Sequence, residues 1–453
     1  MSSEELDQLL REQAADHLWM HGGWTREEAL NHDKLRFIVK GDGIYVTDAD
    51  GREYMDGLSG MYVMNVGHGR KEVSKAVYEQ MELLSYSGSY SSTMIPTVKL
   101  AAKIAKHTPL GMSKVNFTSG GAESNETALK VARQYQRIKG CSGKSKFISR
   151  KGSYHGNTFG TMSISQNQGY HHELYEPLLE GVRQISQPHR YRCDHCKGMP
   201  KCNLECANEL ERVILEEGKD TVAAFISEPI SVSAGIVVPP DGYWQKIRDI
   251  CNKYGILLIF DEVITGFGRT GKWFASEHWG VVPDIISTAK GISSGYLPRG
   301  AIIVRDEVAE VFSGENKFPH GITFASHPVA CAAAIANLEI IENETLVERS
   351  AEMGKYLMEK LQPLYEHASV GEIRGIGLLV GIELVKDKNT KERFPSNIWS
   401  KFNLKALEKG LRIKMGNVIA LAPPFIITRE QIDEMVSIVD ELITEIEADQ
   451  GLD

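Results

Sequence analysis

Apolar residues in this chain fall into short unbroken runs and helical stripes, never into one long span. Residues 256–260, bounded by Gly255 and Asp261, form such a run, which predicts a strand buried on both faces. A second run lies within TVAAFISEPISVSAG and ends at Glu228-Pro229. A third, Asp284-Ile285-Ile286, leads to Lys290 and a turn rich in Gly, Ser and Pro. Residues 115–117 predict a short strand that runs into Ser119-Gly120-Gly121-Ala122, with a helix expected from Glu123 or Ser124. AIIVRDEVAEVF adds a further strand and helix. Helical spacing recurs at 71–84, 97–107, 207–217, 244–254 and 328–342. Strands alternating with helices from about residue 70 to 325 predict an α/β fold, a largely parallel sheet with helices on both faces.

The two ends read differently. Residues 1 to about 35 predict a helical arm, with Trp19 and Trp24 near its end. Then GDGIYVTDADGREYMDGLSG alternates apolar and polar positions around Asp50-Gly51, a hairpin signal. A strand pattern at 377–383 and a C-terminal amphipathic helix predict a smaller α+β domain. The expected division is 1–69 for the arm and part of the small domain, 70–327 for the large domain, and 328–453 for an interdomain helix and the rest of the small domain.

Composition narrows the class without changing this picture. The chain has 453 residues, 42% hydrophobic and 25% charged, as expected for a two-domain globular enzyme. No apolar run is long enough to span a membrane, and a net charge of -9 argues against nucleic acid or an anionic membrane as partner. The acidic, amphipathic N-terminus resembles neither a secretory signal nor a transit peptide. With seven cysteines, an odd number, it suggests a reducing cytoplasm.

Two features carry candidate chemistry. Asp261 at one strand end and Lys290 near the next form a pairing that pyridoxal phosphate chemistry requires: an amine for the aldehyde and a carboxylate for the pyridine nitrogen. Small residues at 119–122 before a helix let backbone N–H groups converge on a phosphate, aided by the helix N-terminus.

The segments FDEVITGFGRTG and PDIISTAKG resemble the class III (omega) aminotransferases, on the fold-type-I scaffold. That resemblance implies a mostly parallel seven-stranded sheet flanked by helices, with pyridoxal 5'-phosphate as cofactor. It makes Lys290 the Schiff-base lysine and proton shuttle, Asp261 the partner of the pyridine nitrogen, and Val263 the packing behind the ring. Tyr154, in the segment KGSYHGN, takes the ring-stacking role, with His155 beside it; Glu228 supports the aspartate. Gly120, Gly121 and Ala122 stand where relatives commonly have Ser-Gly-Ser, which leaves backbone contacts to the phosphate. Thr323 is implied to reach the phosphate of the neighbouring subunit, so the expected assembly is a homodimer with shared sites, alone or paired into tetramers. Tyr62 falls in the substrate-loop segment, and Tyr86 and Tyr90 lie in a Ser/Gly-rich stretch that can line a pocket.

Departures from the family pattern bear on the substrate. Relatives that use glutamate and 2-oxoglutarate pair a glutamate five residues beyond the position of Glu228 with an arginine three before the Pro-Pro step. Here those positions hold Ser233 and Ala420. The pattern resembles the omega-amino-acid:pyruvate branch, implying transfer from an omega-amino donor to a 2-oxo acid acceptor, pyruvate. That branch commonly has an arginine further upstream for the substrate carboxylate. Ungapped alignment puts Ile413 there, flanked by Arg412 and Lys414, and the planar fork of Arg412 is the better match to a carboxylate or sulfonate. Rival readings are another pyridoxal phosphate reaction on this fold (aminomutase or decarboxylating transaminase) and a non-catalytic dimeric scaffold.

One stretch interrupts the alternation. In QPHRYRCDHCKGMPKCNLECA, the residues Cys193, Cys196, Cys202 and Cys206, with His195, have metal-like spacing. A loop of this length is cramped for four tetrahedral ligands, and some members of the resembling family carry a similar insertion without a role in the chemistry. Packed free thiols and no metal are expected.

Overall fold

The structure is a computed structural model that describes residues 3–21, 24–31, 34–88, 91–166, 172–196 and 202–452. An antiparallel three-stranded meander comes first: β1 (Ile38–Asp42), β2 (Tyr45–Asp48) and β3 (Glu53–Met55). The turn at Asp50-Gly51 joins β2 to β3, with Gly51 at φ 81°, a conformation glycine adopts without steric cost. A helix at Ser3–His17 precedes it, and Trp19 beyond that helix is 95% exposed.

The seven-stranded sheet follows, from β4 (Met112–Thr118), β5 (Lys146–Arg150), β6 (Val182–Ile185), β7 (Val222–Ser227), β8 (Leu257–Asp261), β9 (Ile285–Thr288) and β10 (Gly300–Arg305). Its order is β4-β10-β9-β8-β7-β5-β6, and β10 alone runs antiparallel to its neighbours. Every residue of β7, β8 and β9 is buried, as continuous apolar strands covered on both faces require. Two separate apolar clusters flank the sheet: one joins Ile148, Phe225, Leu258 and Phe260 to Trp244, the other joins Phe147, Ile226 and Ile259 to Ala128 and Leu129.

The long helix Pro328–Asn343 is buried along most of its length and packs in one cluster with the C-terminal elements. Those elements include β11 (Val370–Gly375), β12 (Val380–Leu384) and β13 (Val418–Leu421), an antiparallel sheet, and the closing helix Arg429–Gln450. The strand expected at 377–383 begins later, at Val380, because Gly377 turns the chain with φ 60°. The N-terminal meander joins this sheet through the chain at 410–412: Met55 N–H donates to Gly410 O at 2.8 Å and Arg412 N–H to Met55 O at 2.9 Å. Among the described residues no helix is long and apolar enough to cross a membrane.

Candidate active site

Parallel strands in register end at one edge, and α/β sheets place their sites at that edge. Four neighbouring strands, β9, β8, β7 and β5, are followed there by Lys290, Asp261, Glu228 and the loop carrying Tyr154 and His155. From β4 the chain enters the helix Gly121–Ile138, two residues earlier than the sequence signals suggest. Those signals weight helix propensity, which glycine lacks, whereas Gly121 is held in the first turn by contact with Val263. A Cβ at Gly121 would stand 3.0 Å from Val263 Cγ1.

The strand ends and the helix start enclose a cavity of about 220 Å³, walled by Gly121, Ala122, Tyr154, Asp261, Val263 and Lys290 among others. Asp261 is 4% exposed and fully engaged on its inner side. Its Oδ2 accepts from Asn125 Nδ2 at 2.7 Å and lies 2.7 Å from His155 Nδ1, while Oδ1 accepts from Val263 N–H at 3.1 Å. Asn125 Nδ2 also donates to His155 O at 2.8 Å, locking helix and loop together. Burial disfavours charge on the His155 ring, but the hydrogen bond to Asp261 and the charge of Glu228, 3.9 Å from Nε2, outweigh it and raise its pKa. Glu228 Oε1 in turn accepts from the hydroxyls of Ser231 and Ser233, both at 3.3 Å.

Lys290 sits at φ 46°, a left-handed conformation that costs a non-glycine residue roughly 1–2 kcal/mol. Burial pushes its amine down to about 8, with the charges of Asp261 and Glu228 pulling the other way. A lysine so placed is neutral and nucleophilic in a far larger fraction near neutral pH than an ordinary lysine. The helix start is pinned by Ser124, whose Oγ donates to Thr288 O at 3.0 Å, and Gly156 lets the Tyr154 loop close over it. A Cβ at Gly156, where φ is 136°, would lie 2.6 Å from Ala122 Cβ.

The other residues singled out in the sequence are not all at the cavity. Gly120 caps the helix behind the wall. Tyr62 packs with Ile230 and Val232, which do line the cavity, in an apolar cluster that also holds Ala420. Burial pushes the Tyr62 hydroxyl up to about 12. Tyr86 and Thr323 meet each other on the outer surface, where Tyr86 Oη donates to Thr323 O at 2.9 Å. Tyr90 lies outside the described residues. Arg412 does not line the cavity: Leu411 is fully buried and Ile413 packs against Gly57, so the alternation of an extended chain turns Arg412 to the opposite side. Lys414 is exposed. The four cysteines of the insertion lie together, none of them on the cavity wall, and burial, then the charges of Cys193, Cys202 and Cys196, push the Cys206 thiol up to about 12.

Two residues of consequence escaped the sequence reading. Asn125, a buried amide in the first turn of its helix, organises Asp261. Arg269, fully buried, binds Leu378 O, Pro423 O, Ser59 Oγ and Asn65 Oδ1, tying the Tyr62 segment to the C-terminal elements. A polar residue inside an otherwise buried stripe is the signal that Asn125 offered; Arg269, within GFGRTG, offered none beyond its type.

Pyridoxal 5'-phosphate fits these residues. Asn125 Oδ1, His155 Nε2 and Glu228 Oε2, all on cavity-lining side chains, are buried with no hydrogen-bond partner in the chain, polar capacity left for a bound polar molecule. The first-turn N–H groups at Gly121 and Ala122 have no carbonyl within the helix to bind, as a phosphate site needs. An amine and a carboxylate face the same space from adjacent strands. Fold type I of the pyridoxal phosphate-dependent transferases is built this way, and the chain is of that class.

Comparison with known proteins carries the assignment further. Residues 28–443 match the family model Aminotransferase class-III, and the chain belongs to that family, whose members use pyridoxal phosphate as cofactor. It is 39% identical over 429 residues to a putrescine–pyruvate aminotransferase of Pseudomonas aeruginosa, covering 94% of each chain. It is 40% identical over 425 residues to a diaminobutyrate–2-oxoglutarate transaminase of Halomonas elongata, covering 91% of this chain and 90% of the other. The crystal structure of a thermostable (S)-enantioselective omega-transaminase from Thermomicrobium roseum superposes with a TM-score of 0.90 at 39% identity, covering 97% of this chain and 98% of that one.

Proposed function

We propose that this class III aminotransferase moves an amino group from an omega-amino donor to pyruvate, giving alanine. One observation carries the choice of acceptor: among the described residues lining the cavity, Lys290 is the only lysine or arginine, the His155 ring is already engaged by Asp261 and Glu228, and Ser233 and Ala420 hold the two positions of the glutamate–arginine switch. Ser233 is committed instead to Glu228 and to Gly152 O, the latter at 2.8 Å. A distal carboxylate left unpaired in a desolvated pocket costs several kcal/mol, and pyruvate has none to place. The putrescine–pyruvate relative agrees; the diaminobutyrate–2-oxoglutarate relative marks the alternative. Pyruvate is expected to exceed 2-oxoglutarate by at least about two orders of magnitude in kcat/KM, each tenfold being about 1.4 kcal/mol. Steady-state rates with both acceptors across a panel of amines decide it, and equal acceptor efficiency would sink the reading.

The cofactor supplies an aldehyde that takes up the amino group and a ring that withdraws electrons from the donor carbon. Lys290 is the residue that would hold the aldehyde, and its buried amine, lowered to about 8, would serve as the base that moves the proton in the cavity. Asp261 would hold the proton on the pyridine nitrogen; Asn125 and His155 hold Asp261, and Glu228 faces the other side of the His155 ring. Gly121 and Ala122 would bind the phosphate by their backbone N–H groups, and Tyr154 and Val263, on the cavity wall, would hold the ring.

Two copies pair to complete each site, with Thr323 of one reaching the phosphate held by the other. Thr323 and Phe324 are exposed in the single chain, the latter at 59%, beside the half-exposed Tyr86, an aromatic surface that a partner would cover. Dilution that separates the copies is therefore expected to release cofactor. Sedimentation followed at the cofactor absorbance checks this, and stable monomers retaining cofactor would contradict it.

A further inference from the structure

We propose that Arg299 is a positioning residue for the cofactor site of the neighbouring subunit, acting through the turn that presents Thr323; this rests on the reading of Thr323 given above. Arg299 is 3% exposed. Arg11, Arg150 and Arg374, also buried, each have a carboxylate within ion-pair distance: Asp7, Glu228, and the pair Glu372 and Glu383. Arg299 has none among the described residues, and burial works against its charge. A buried guanidinium without a counter-ion persists only where several acceptors converge on it, so its acceptors identify its task.

Those acceptors belong to one turn. Nη1 donates to Ala325 O, and Nη2 donates to His327 O at 2.8 Å. Nη2 also donates to Cys331 Sγ at 3.1 Å, in the first turn of the helix Pro328–Asn343 that follows. The carbonyl in between, Ser326 O, accepts from Thr97 Oγ1 at 3.1 Å. Three consecutive carbonyls ahead of the helix are therefore drawn inward by two side chains. Arg299 is itself held in place by Phe117, with Cζ 5.2 Å from the ring centre.

The same turn fixes Thr323 relative to this anchor. Ala325 N–H donates to Ile322 O at 3.0 Å and His327 N–H to Phe324 O at 3.1 Å, so residues 322–327 form two overlapping turns. Thr323 O accepts from Tyr86 Oη, and upstream His320 Nε2 lies 3.0 Å from Thr127 Oγ1 on the helix Gly121–Ile138. Held at both ends, the segment leaves Thr323 exposed. A hydroxyl presented by such a turn loses little freedom on meeting a phosphate, whereas one on a loose loop must be ordered at binding.

Arg299 also stands next to the phosphate cradle of its own subunit. It directly precedes β10, whose first residue, Gly300, pairs with Thr118. A Cβ at Gly300 would lie 2.7 Å from Ser124 Oγ and 2.8 Å from Gly120 O, both at the start of the cradle helix. One strand end thus backs the cradle of one subunit and anchors the turn offered to the other.

The test is a double-mutant cycle read by cofactor affinity. Holoenzyme is dialysed against graded pyridoxal 5'-phosphate and retention followed by absorbance, at concentrations where sedimentation shows dimers. Thr323→Val, which removes the hydroxyl and keeps the shape, is expected to weaken binding roughly tenfold, the worth of one hydrogen bond to a charged group. Arg299→Met should weaken it by a similar factor, and Arg299→Lys, which keeps a donor without the fork, by less. The double variant Arg299→Met with Thr323→Val should bind within about twofold of Thr323→Val alone, because Arg299 acts through that hydroxyl; a merely structural role gives losses that multiply. Should Arg299→Met fail to fold, Thr97→Val, which frees only Ser326 O, takes its place in the cycle and is judged by the same outcomes. Affinity equal to the parent in Arg299→Met beside a weakened Thr323→Val, or losses that multiply, would overturn the proposal and leave the Thr323 contact standing. Affinity equal to the parent in Thr323→Val would remove that contact and this inference with it.

Discussion

Alanine at position 290 is expected to leave a folded protein that still takes up pyridoxal phosphate but transfers amino groups at least about four orders of magnitude more slowly. Among the described residues no hydrogen bond reaches the Lys290 amine; the side chain lines the cavity from a left-handed turn, and that turn suits alanine no worse than lysine. The helix start, Asp261 and the Tyr154 loop are fixed by bonds that do not pass through it. What disappears is the one amine in the cavity, held near its neutral point by burial, and with it the proton carrier. Rapid mixing of the cofactor-loaded variant with donor, followed by absorbance, reads the half-reaction directly. A small primary amine added to the solution should restore part of the rate, because it supplies the missing base without the tether. A rate within tenfold of the parent would remove Lys290 from the chemistry.

The second large effect is expected at Asp261→Asn, about three orders of magnitude or more in the same half-reaction, with cofactor still bound. The reason lies in the donors around the carboxylate. Oδ2 receives the Asn125 amide and faces His155, while Oδ1 receives the Val263 N–H. An asparagine can point its oxygen to only one of these sides, so its amide hydrogens must confront a donor on the other. More importantly, a neutral amide cannot hold a proton on the pyridine nitrogen, and each pK unit of stabilisation lost is about 1.4 kcal/mol, or tenfold. Asp261→Glu, which keeps the charge at a shifted position, should fall less far than the amide. An unaffected half-reaction in Asp261→Asn would refute the role.

Much of the scaffold was legible because its strands are short apolar runs ended by polar punctuation. Residues 256–260 and 284–286 announced β8 and β9, and the residues just beyond them announced Asp261 and Lys290. The antiparallel course of β10 was not legible, since a buried strand has the same composition in either direction. The wall formed by Ile230 and Val232 was hidden for a related reason: apolar residues past a strand end look like more strand. Arg412 shows where chemical type misleads. A guanidinium suits a carboxylate, but Leu411 and Ile413 set the facing of the chain, and hydrophobic packing fixes that before charge has a say. Asn125 is the converse, a residue of unremarkable type whose position in a buried stripe gives it weight.

The placement of β10 has a consequence for how the enzyme comes into being. Among the described residues strand β4 lies at the sheet edge with β10 as its only strand partner, and Thr118 pairs with Gly300. On a ribosome adding about 5–20 residues per second, β4 and the helix behind it wait on the order of ten to forty seconds for that partner to be made. During this interval the edge is unpaired and the end of β4, just ahead of the phosphate cradle, has nothing to fix it against Lys290. Cofactor capture can therefore begin only after some two-thirds of the chain has emerged. Strains or conditions that slow translation between those two strands should lengthen exposure of an aggregation-prone edge more than delays elsewhere.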